Sequence, residues 1–311
     1  MNRGFRFGVL TRAFDRSGLH EAAREAEGRG YSTLALTDHL DLSGSHVTRL
    51  SWLPALASAA AVTNTLRFTT MVANQDLHHP ATLAREIATL DIISDGRFEF
   101  GIGAGWNPVE YDWAGLTLDS PGVRIARLGE YVAIIRGLID ASSPEPFTLH
   151  GDHFTITDMP RIPASVQQPL PLMLGGSQRT MLTLAANQAE IVNINTLKEP
   201  GTVDDVLPEK IEWIRATGRE PEIGTSIVLI ATGAADPTEA VELAMPTSPF
   251  ARKVAEHQPT SDISHACHVL AGDTARIVEE LHRRRESYDL SYYIIPAESM
   301  DDFQPIMDAL A

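Results

Sequence analysis

The fold is decided by residues 66–105, LRFTTMVANQDLHHPATLAREIATLDIISDGRFEFGIGAG. The apolar runs at 66–72 and 97–103 predict strands, and residues 80–93 between them predict a helix that begins at Pro80. Proline is favoured in the first turn of a helix, because its missing N–H would have no partner there. Two strands joined through a helix form a parallel pair, so this stretch predicts one β–α–β unit.

The same alternation of strand and helix continues in both directions along the chain. The predicted strands are 5–10, 31–36, 66–72, 97–103, 171–174, 190–194, 226–230 and 290–295. The predicted helices are 19–29, 52–62, 80–93, 124–139, 179–186, 203–216, 273–286 and 300–310. Eight parallel strands with no Pro/Gly-rich linker between them predict an α/β fold, a (β/α)8 TIM barrel with insertions.

Three segments interrupt this repeat and are predicted as insertions in a single domain spanning residues 1–311. They lie at about 104–120, 142–168 and 245–268. In the second segment, residues 146–156 are typical of a β-hairpin. In the third, residues 245–265 have weak periodicity and are predicted as a long loop, of the kind that often covers an active site.

The composition favours a small molecule as the partner. The 311 residues include 41 acidic and 25 basic side chains, which gives a formal net charge of −16. Nucleic acid or an anionic membrane would require a basic face, so neither is expected. No stretch approaches the roughly 18 apolar residues of a membrane span, and the first residues lack the apolar region of a signal peptide. The sequence therefore predicts a cytoplasmic protein.

Chemistry in barrels of this kind lies at the carboxyl ends of the strands, which selects the candidate residues. Asp38 and His39 close the second predicted strand. A histidine titrates near neutral pH, so His39 is a candidate to move a proton, with a simple strand cap as the alternative. His78 and His79 follow the third strand, where polar capping is favoured over metal binding because adjacent side chains point in different directions.

Cysteine chemistry is not expected in this chain. Cys267 is the only cysteine, which excludes an intramolecular disulfide and a zinc site of several cysteines. It lies between His265 and His268, at a spacing that suits no common zinc site. We therefore predict a structural role for these three residues.

Glycines mark two of the strand ends. The run from Gly101 to Gly105 is followed by Trp106, where a dinucleotide fingerprint needs Gly or Ala, and we predict a long loop before the next helix. Small residues at this place would instead let a flat ring approach the backbone, with a tight turn as the alternative. Gly175, Gly176 and Ser177 precede a predicted helix, whose first N–H groups are suited to a phosphate.

Several stretches together resemble the luciferase-like monooxygenase superfamily. They are GYSTLALTDH at 30–39, HPATLAREIATLDIISDGRFEFGIGAGWNPVE at 79–110, PLMLGGS at 171–177 and LAANQAEIVN at 184–193. The resemblance covers most of residues 5–195 and implies a bacterial-luciferase-like barrel. It is closest to the branch that uses coenzyme F-420, an 8-hydroxy-5-deazaflavin, rather than to the light-emitting branch that uses reduced FMN.

The resemblance also implies roles for individual residues. A cis peptide bond that does not precede proline is expected within residues 70–72, behind the cofactor ring. His39 would act on the substrate as the catalytic residue. The residues that would contact the cofactor, with its phosphate at the last four, are Asp38, Met71, Val72, Asn74, Gly103, Ala104, Gly105, Leu174, Gly175, Gly176 and Ser177. No metal-binding residue is expected.

Two positions depart from the F-420-dependent sugar-phosphate dehydrogenases, whose Asp-His pair this chain otherwise matches. Residues 40–43 lack the tryptophan of those enzymes, and Trp106 stands where they have a glutamate. These departures argue against a sugar-phosphate substrate. Glu110 is a nearby carboxylate, but we do not include it in the predicted site.

These observations predict an oxidoreductase that transfers hydride between F-420 and a small organic substrate. The alternative is an FMN-dependent monooxygenase of the same superfamily, supplied by a reductase partner. Remoter alternatives are a metal-dependent barrel enzyme built on His39, His78, His79 and Glu110, and a flavin-binding protein without catalysis. The resemblance further implies a homodimer.

Overall fold

The structure, a computed structural model, describes residues 3–40, 49–196, 203–248, 251–252, 255–256 and 259–311. Its strands are β1 (Arg6–Leu10), β2 (Thr33–Leu36), β3 (Arg67–Thr70), β4 (Ala73–Asn74), β5 (Phe98–Gly103), β6 (Phe147–His150), β7 (Thr155–Met159), β8 (Leu172–Gly176), β9 (Ile191–Ile194), β10 (Glu222–Ser226), β11 (Leu229–Ala231), β12 (Val269–Ala271) and β13 (Leu290–Pro296). Its α-helices are α1 (Arg16–Gly28), α2 (Trp52–Ala60), α3 (Pro80–Ile93), α4 (Pro108–Ala114), α5 (Pro121–Ile139), α6 (Arg179–Gln188), α7 (Val203–Arg215), α8 (Pro237–Ala244), α9 (Thr260–Ser264), α10 (Thr274–Tyr288) and α11 (Met300–Leu310). Short 3-10 turns lie at Gln75–Leu77 and Ala297–Ser299.

One closed sheet forms the centre of the fold. Its strands lie in the order β3-β2-β1-β13-β10-β9-β8-β5-β4, and β3 also pairs with β5. Without β4, which has two residues, the ring contains eight strands. Neighbours run parallel, as where Leu34 lies opposite Phe68. The predicted (β/α)8 barrel is therefore confirmed.

The chain divides into two compact units, each with its own packed residues. The first comprises the described residues of 1–10, 176–186 and 192–311, and the second comprises 11–175 and 187–191. Within the second unit, the buried ring of Trp52 stacks on Phe98 and Phe100, at centroid distances of 6.3 and 6.2 Å.

In the first unit, aromatic rings pack beside β1 and β13. Phe7 lies edge-on to Phe303, with 5.0 Å between ring centroids, and 6.1 Å from the ring of Tyr293. A smaller apolar cluster forms where α8 and α9 pack near β11 and β12, and it includes Leu229, Val241, Ile263 and Val269.

Side-chain caps explain where two helices of the second unit begin. Asp15 accepts the N–H of Gly18 at 2.8 Å, so α1 begins earlier than predicted. His79 accepts the N–H of Ala81 through Nδ1 at 3.3 Å, directly before Pro80. The predicted capping role of His79 is confirmed.

The predicted strand at 226–230 is wrong in position. Its first residue, Ser226, is the last residue of β10 in the barrel, whereas β11 pairs with β12 in a separate two-stranded sheet. The sequence is almost uniformly apolar from Ile227 to Ala231, so hydrophobicity did not separate the two strands.

The first and third insertions contain more regular structure than predicted, whereas the second contains the structure that was predicted. There, β6 pairs antiparallel with β7, which confirms the hairpin. The long loop predicted after Gly105 is wrong, because α4 begins at Pro108. The loop predicted over 245–265 contains α9, while its residues 249–250, 253–254 and 257–258 lie outside the described residues. Among the helices that the structure describes, none has both the length and the apolar content to cross a membrane.

Candidate functional site

His39 lies shortly after β2 and contacts a carboxylate of α4. Its Nδ1 is 2.9 Å from Oε2 of Glu110, and Oε1 of Glu110 accepts the N–H of Leu40 at 2.6 Å. The side chain of Glu110 is 2% exposed and that of His39 is 17% exposed. Because a carboxylate only accepts hydrogen bonds, Nδ1 of His39 donates to Glu110, and Nε2 is the nitrogen that can exchange a proton with a substrate.

An aromatic side chain stands beside His39. The ring of Trp106, which follows β5, is edge-on to the imidazole of His39, with 5.9 Å between centroids. About half of Trp106 is exposed, at 49%. The surroundings of His39 thus include one buried carboxylate and one large aromatic ring.

Asp38, the neighbour of His39 in sequence, holds the segment that follows β3. Its Oδ2 accepts the N–H of Asn74 at 3.0 Å and Nε2–H of His78 at 2.8 Å. His78 therefore bonds a residue next to His39, a role that we did not predict. That Asp38 contacts the cofactor stays a prediction, since these contacts are to protein groups.

The peptide bond between Met71 and Val72 is cis, which confirms the expectation from the family resemblance. Both side chains are apolar and partly exposed. A Cβ built on Gly103 would lie 2.7 Å from Cγ2 of Val72, so Gly103 leaves the space that Val72 occupies. Met71 and Val72 stand between β3 and β4, where the pairing with β5 is interrupted, and we call these two residues the apolar bulge.

Tyr111, the neighbour of Glu110 on α4, binds the residues after the bulge. Its hydroxyl donates to Oδ2 of Asp76 at 2.6 Å and lies 3.3 Å from Oδ1 of Asn74. Burial, together with the hydrogen bond and charge of Asp76, raises the pKa of Tyr111 to about 12. Tyr111 is therefore a protonated donor at neutral pH.

Gly105 adopts a left-handed conformation with φ of 72°. A Cβ at this position would overlap the hydroxyl of Tyr111 and lie 2.6 Å from Oδ1 of Asn74. Its carbonyl accepts a hydrogen bond from Nη1 of Arg124 at 2.6 Å. Both the backbone angle and the lack of space thus require glycine here. The preceding residue, Ala104, has its carbonyl 3.5 Å from Nε2 of Gln75.

The residues predicted to hold a phosphate begin inside a strand. Leu174 is fully buried, so neither its side chain nor its backbone is exposed, and its contact with a phosphate stays a prediction. The glycines Gly175 and Gly176 complete β8, and Ser177 follows it before α6 begins at Arg179.

Metal ligands do not come together in the described ranges, where no group of three His, Cys, Asp or Glu side chains could hold an ion. Among the residues of the metal alternative, His39 contacts Glu110, whereas His78 contacts Asp38 instead. His268 is buried, and this burial, together with the charge of Arg284, lowers its pKa to about 4.

Glu110 and Tyr111 lie in the candidate site but were not among the predicted site residues. Glu110 is 71 residues from His39, so only the fold brings them together. One signal was present, because Pro108 after Asn107 is a common helix start and would have placed Glu110 in a first turn.

A family model described as luciferase-like monooxygenase matches residues 6–293. An uncharacterized protein of Mycobacterium tuberculosis is 32% identical over 173 residues, which cover 50% of this chain and 59% of that protein. A second one from the same species is 26% identical over 181 residues, covering 53% and 60%. The chain thus matches less than two-thirds of the length of these curated relatives.

Solved structures share the fold over nearly the whole chain. An F-420-dependent secondary alcohol dehydrogenase, in complex with an F-420–acetone adduct, has a TM-score of 0.77 at 20% identity and covers 99% of this chain and 100% of its own. A long-chain alkane monooxygenase has a TM-score of 0.80 at 14% identity, with coverages of 100% and 92%. At these identities the likeness shows the fold alone.

Proposed function

The chain belongs to the luciferase-like monooxygenase family, and we propose that it is an oxidoreductase transferring hydride between coenzyme F-420 and a small organic substrate. The observation that carries this proposal is the buried carboxylate of Glu110, which holds His39 in one tautomer. A deazaflavin transfers two electrons as hydride, so the accompanying proton needs a group of the protein. His39 is suited to that task.

The residues around the cis peptide bond fit a flat cofactor ring. Met71 and Val72 offer partly exposed apolar surface, and Gly103 leaves room for the side chain of Val72. We propose that these residues, with Ala104 and Gly105, contact the ring. Asp38 and Asn74 would hold the bulge in place through the hydrogen bond between them. The backbone of residues 174–177 would bind the phosphate.

The chain's own residues would then act on the substrate as follows. Nε2 of His39 would give a proton to the substrate oxygen during reduction, or take one during oxidation. Glu110 would keep the imidazole oriented, and Trp106 would exclude water from one side. The apolar ring of Trp106 favours an organic alcohol or ketone over a sugar phosphate.

FMN is the alternative cofactor, because it shares a tricyclic ring and a phosphate with F-420. With FMN the protein would be a monooxygenase that needs a reductase partner. The solved structures that share this fold include both an F-420-dependent secondary alcohol dehydrogenase and a long-chain alkane monooxygenase. We also propose a homodimer, from the family resemblance.

The proposal is tested by turnover of F-420 with a panel of secondary alcohols and ketones, followed through the visible absorbance of the oxidised cofactor. For H39A we expect kcat to fall by about 10²- to 10⁴-fold, the usual contribution of a general acid or base, with F-420 affinity within about twofold of wild type. The matched control is H150A, at an exposed histidine of β6. Equal losses of kcat and affinity in H39A would contradict the proton role.

A further inference from the structure

We propose that Lys210 is a positioning residue for the phosphate group of the cofactor, an inference that rests on the proposed function. Lys210 lies on α7 and is 3% exposed. Its Nζ donates to the carbonyl of Ser177 at 2.5 Å and lies 5.5 Å from the ring centroid of Trp213. A buried ammonium group is thus bonded to the loop between β8 and α6.

Two successive carbonyls of this loop are fixed within the first unit. The carbonyl of Gly176 accepts the N–H of Asn195 at 2.9 Å, and the carbonyl of Ser177 accepts Lys210. In a trans peptide unit the C=O and the following N–H point in opposite directions. The N–H of Ser177 therefore points away from Asn195, and the N–H of Gln178 points away from Lys210.

These oriented N–H groups stand directly before α6. The N-terminus of a helix carries a partial positive charge and favours a bound anion. Gly176 also packs closely on this helix, since a Cβ there would overlap Cγ of Met181. Lys210 thus holds the loop in a conformation that suits a phosphate on the side opposite its own ammonium group.

The positive charge of Lys210 also bears on an anion at this loop. In a chain of formal net charge −16, a phosphate is repelled unless positive charge lies near its site. The ammonium group of Lys210, bonded to the carbonyl of Ser177, places one positive charge at the loop.

The test compares ligands that differ by the phosphate group, in K210M and wild type. The pairs are FMN with riboflavin, and F-420 with its phosphate-free deazaflavin riboside, titrated by fluorescence. In the pair that wild type binds, we expect K210M to lower the affinity for the phosphorylated ligand by about 10- to 100-fold, as for loss of a charged hydrogen bond. The affinity for the phosphate-free ligand should fall by less than about threefold, because that ligand does not contact the loop.

A matched control removes a positive charge elsewhere on the same helix. Arg215 ends α7 and forms an exposed ion pair with Asp289, so R215M should leave both affinities unchanged. If K210M does not fold, K210Q decides, since its neutral donor should lower the affinity ratio by at least about threefold. An unchanged ratio, or equal losses for both ligands, would overturn the role of Lys210. Failure of wild type to bind any of the four ligands would overturn the proposed function as well.

Discussion

Oε2 of Glu110 lies 2.9 Å from Nδ1 of His39, and the next residue on α4, Tyr111, bonds the segment that follows the cis peptide bond. Two adjacent residues of α4 therefore contact the candidate proton donor His39 and the residues that follow the apolar bulge. A change in α4 is expected to disturb catalysis and cofactor binding through separate contacts. Each contact can be tested on its own.

E110Q should reverse the tautomer of His39. The amide oxygen would accept the N–H of Leu40, which turns the NH₂ group toward Nδ1 of His39 and makes that nitrogen an acceptor. We expect kcat to fall by about 10- to 100-fold with little change in cofactor affinity. Nitrogen-15 NMR of the imidazole would report the tautomer, and E86Q, at an exposed glutamate of α3, is the control. An unchanged imidazole spectrum together with wild-type kcat would refute the role of Glu110.

G105A should be more destabilising than G115A. Both glycines have positive φ, of 72° and 67°, so alanine at either costs about 1–2 kcal/mol for the backbone angle. Only at Gly105 would the new Cβ meet other atoms, those of Tyr111 and Asn74, which adds about 1–3 kcal/mol as for overpacking. Urea unfolding of both variants measures the difference. Equal losses of stability would show that Tyr111 and Asn74 do not restrict this position.

E27Q should lose stability in a pH-dependent way. Oε1 of Glu27 accepts the N–H groups of Asn64, Thr65 and Leu66, at 2.7, 2.6 and 3.0 Å. Burial opposes ionisation, but these hydrogen bonds outweigh it and lower the pKa of Glu27 from 4.5 to about 2. The ionised form is therefore favoured by folding, so its contribution is complete above about pH 4.5 and is lost as the pH falls toward 2.

Accordingly, wild type should exceed E27Q in unfolding free energy by about 1.5–3 kcal/mol near neutral pH, the range for hydrogen bonds to a charged group. The difference should shrink as the pH falls from 4.5 to 2. E25Q, on the same helix, removes a surface ion pair with Arg29 and should change stability by less than about 1 kcal/mol. A difference between wild type and E27Q that is constant with pH would contradict the account.

The barrel could be predicted because its helices and strands carry strong local signals. The helices α3 and α11 have the predicted bounds, and α3 combines an initial proline with a run of apolar residues. The helix α4 shares the initial proline but lacks the run of apolar residues, and its burial reverses the usual pattern. Its polar Glu110 is buried, whereas its apolar Val109 and Trp113 are 46% and 55% exposed. Hydrophobic periodicity therefore could not find this helix.

The candidate site could likewise be predicted only where a local sequence pattern marks a residue. His39 follows a clear strand, so its position at a strand end followed from the sequence. Its partner Glu110 did not, because the contact joins distant parts of the chain. Likewise, the bond between Asp38 and His78 depends on where β2 and β3 lie in the barrel, which no local pattern reports.

The most direct test of the central claim is a titration of the apo-protein with F-420 and with FMN, followed by absorbance and tryptophan fluorescence. The account predicts that F-420 binds at least about tenfold more tightly than FMN. Tighter binding of FMN would contradict the F-420 assignment and move the chain to the flavin-dependent monooxygenases. Binding of neither would contradict the proposed use of a flavin-type cofactor altogether.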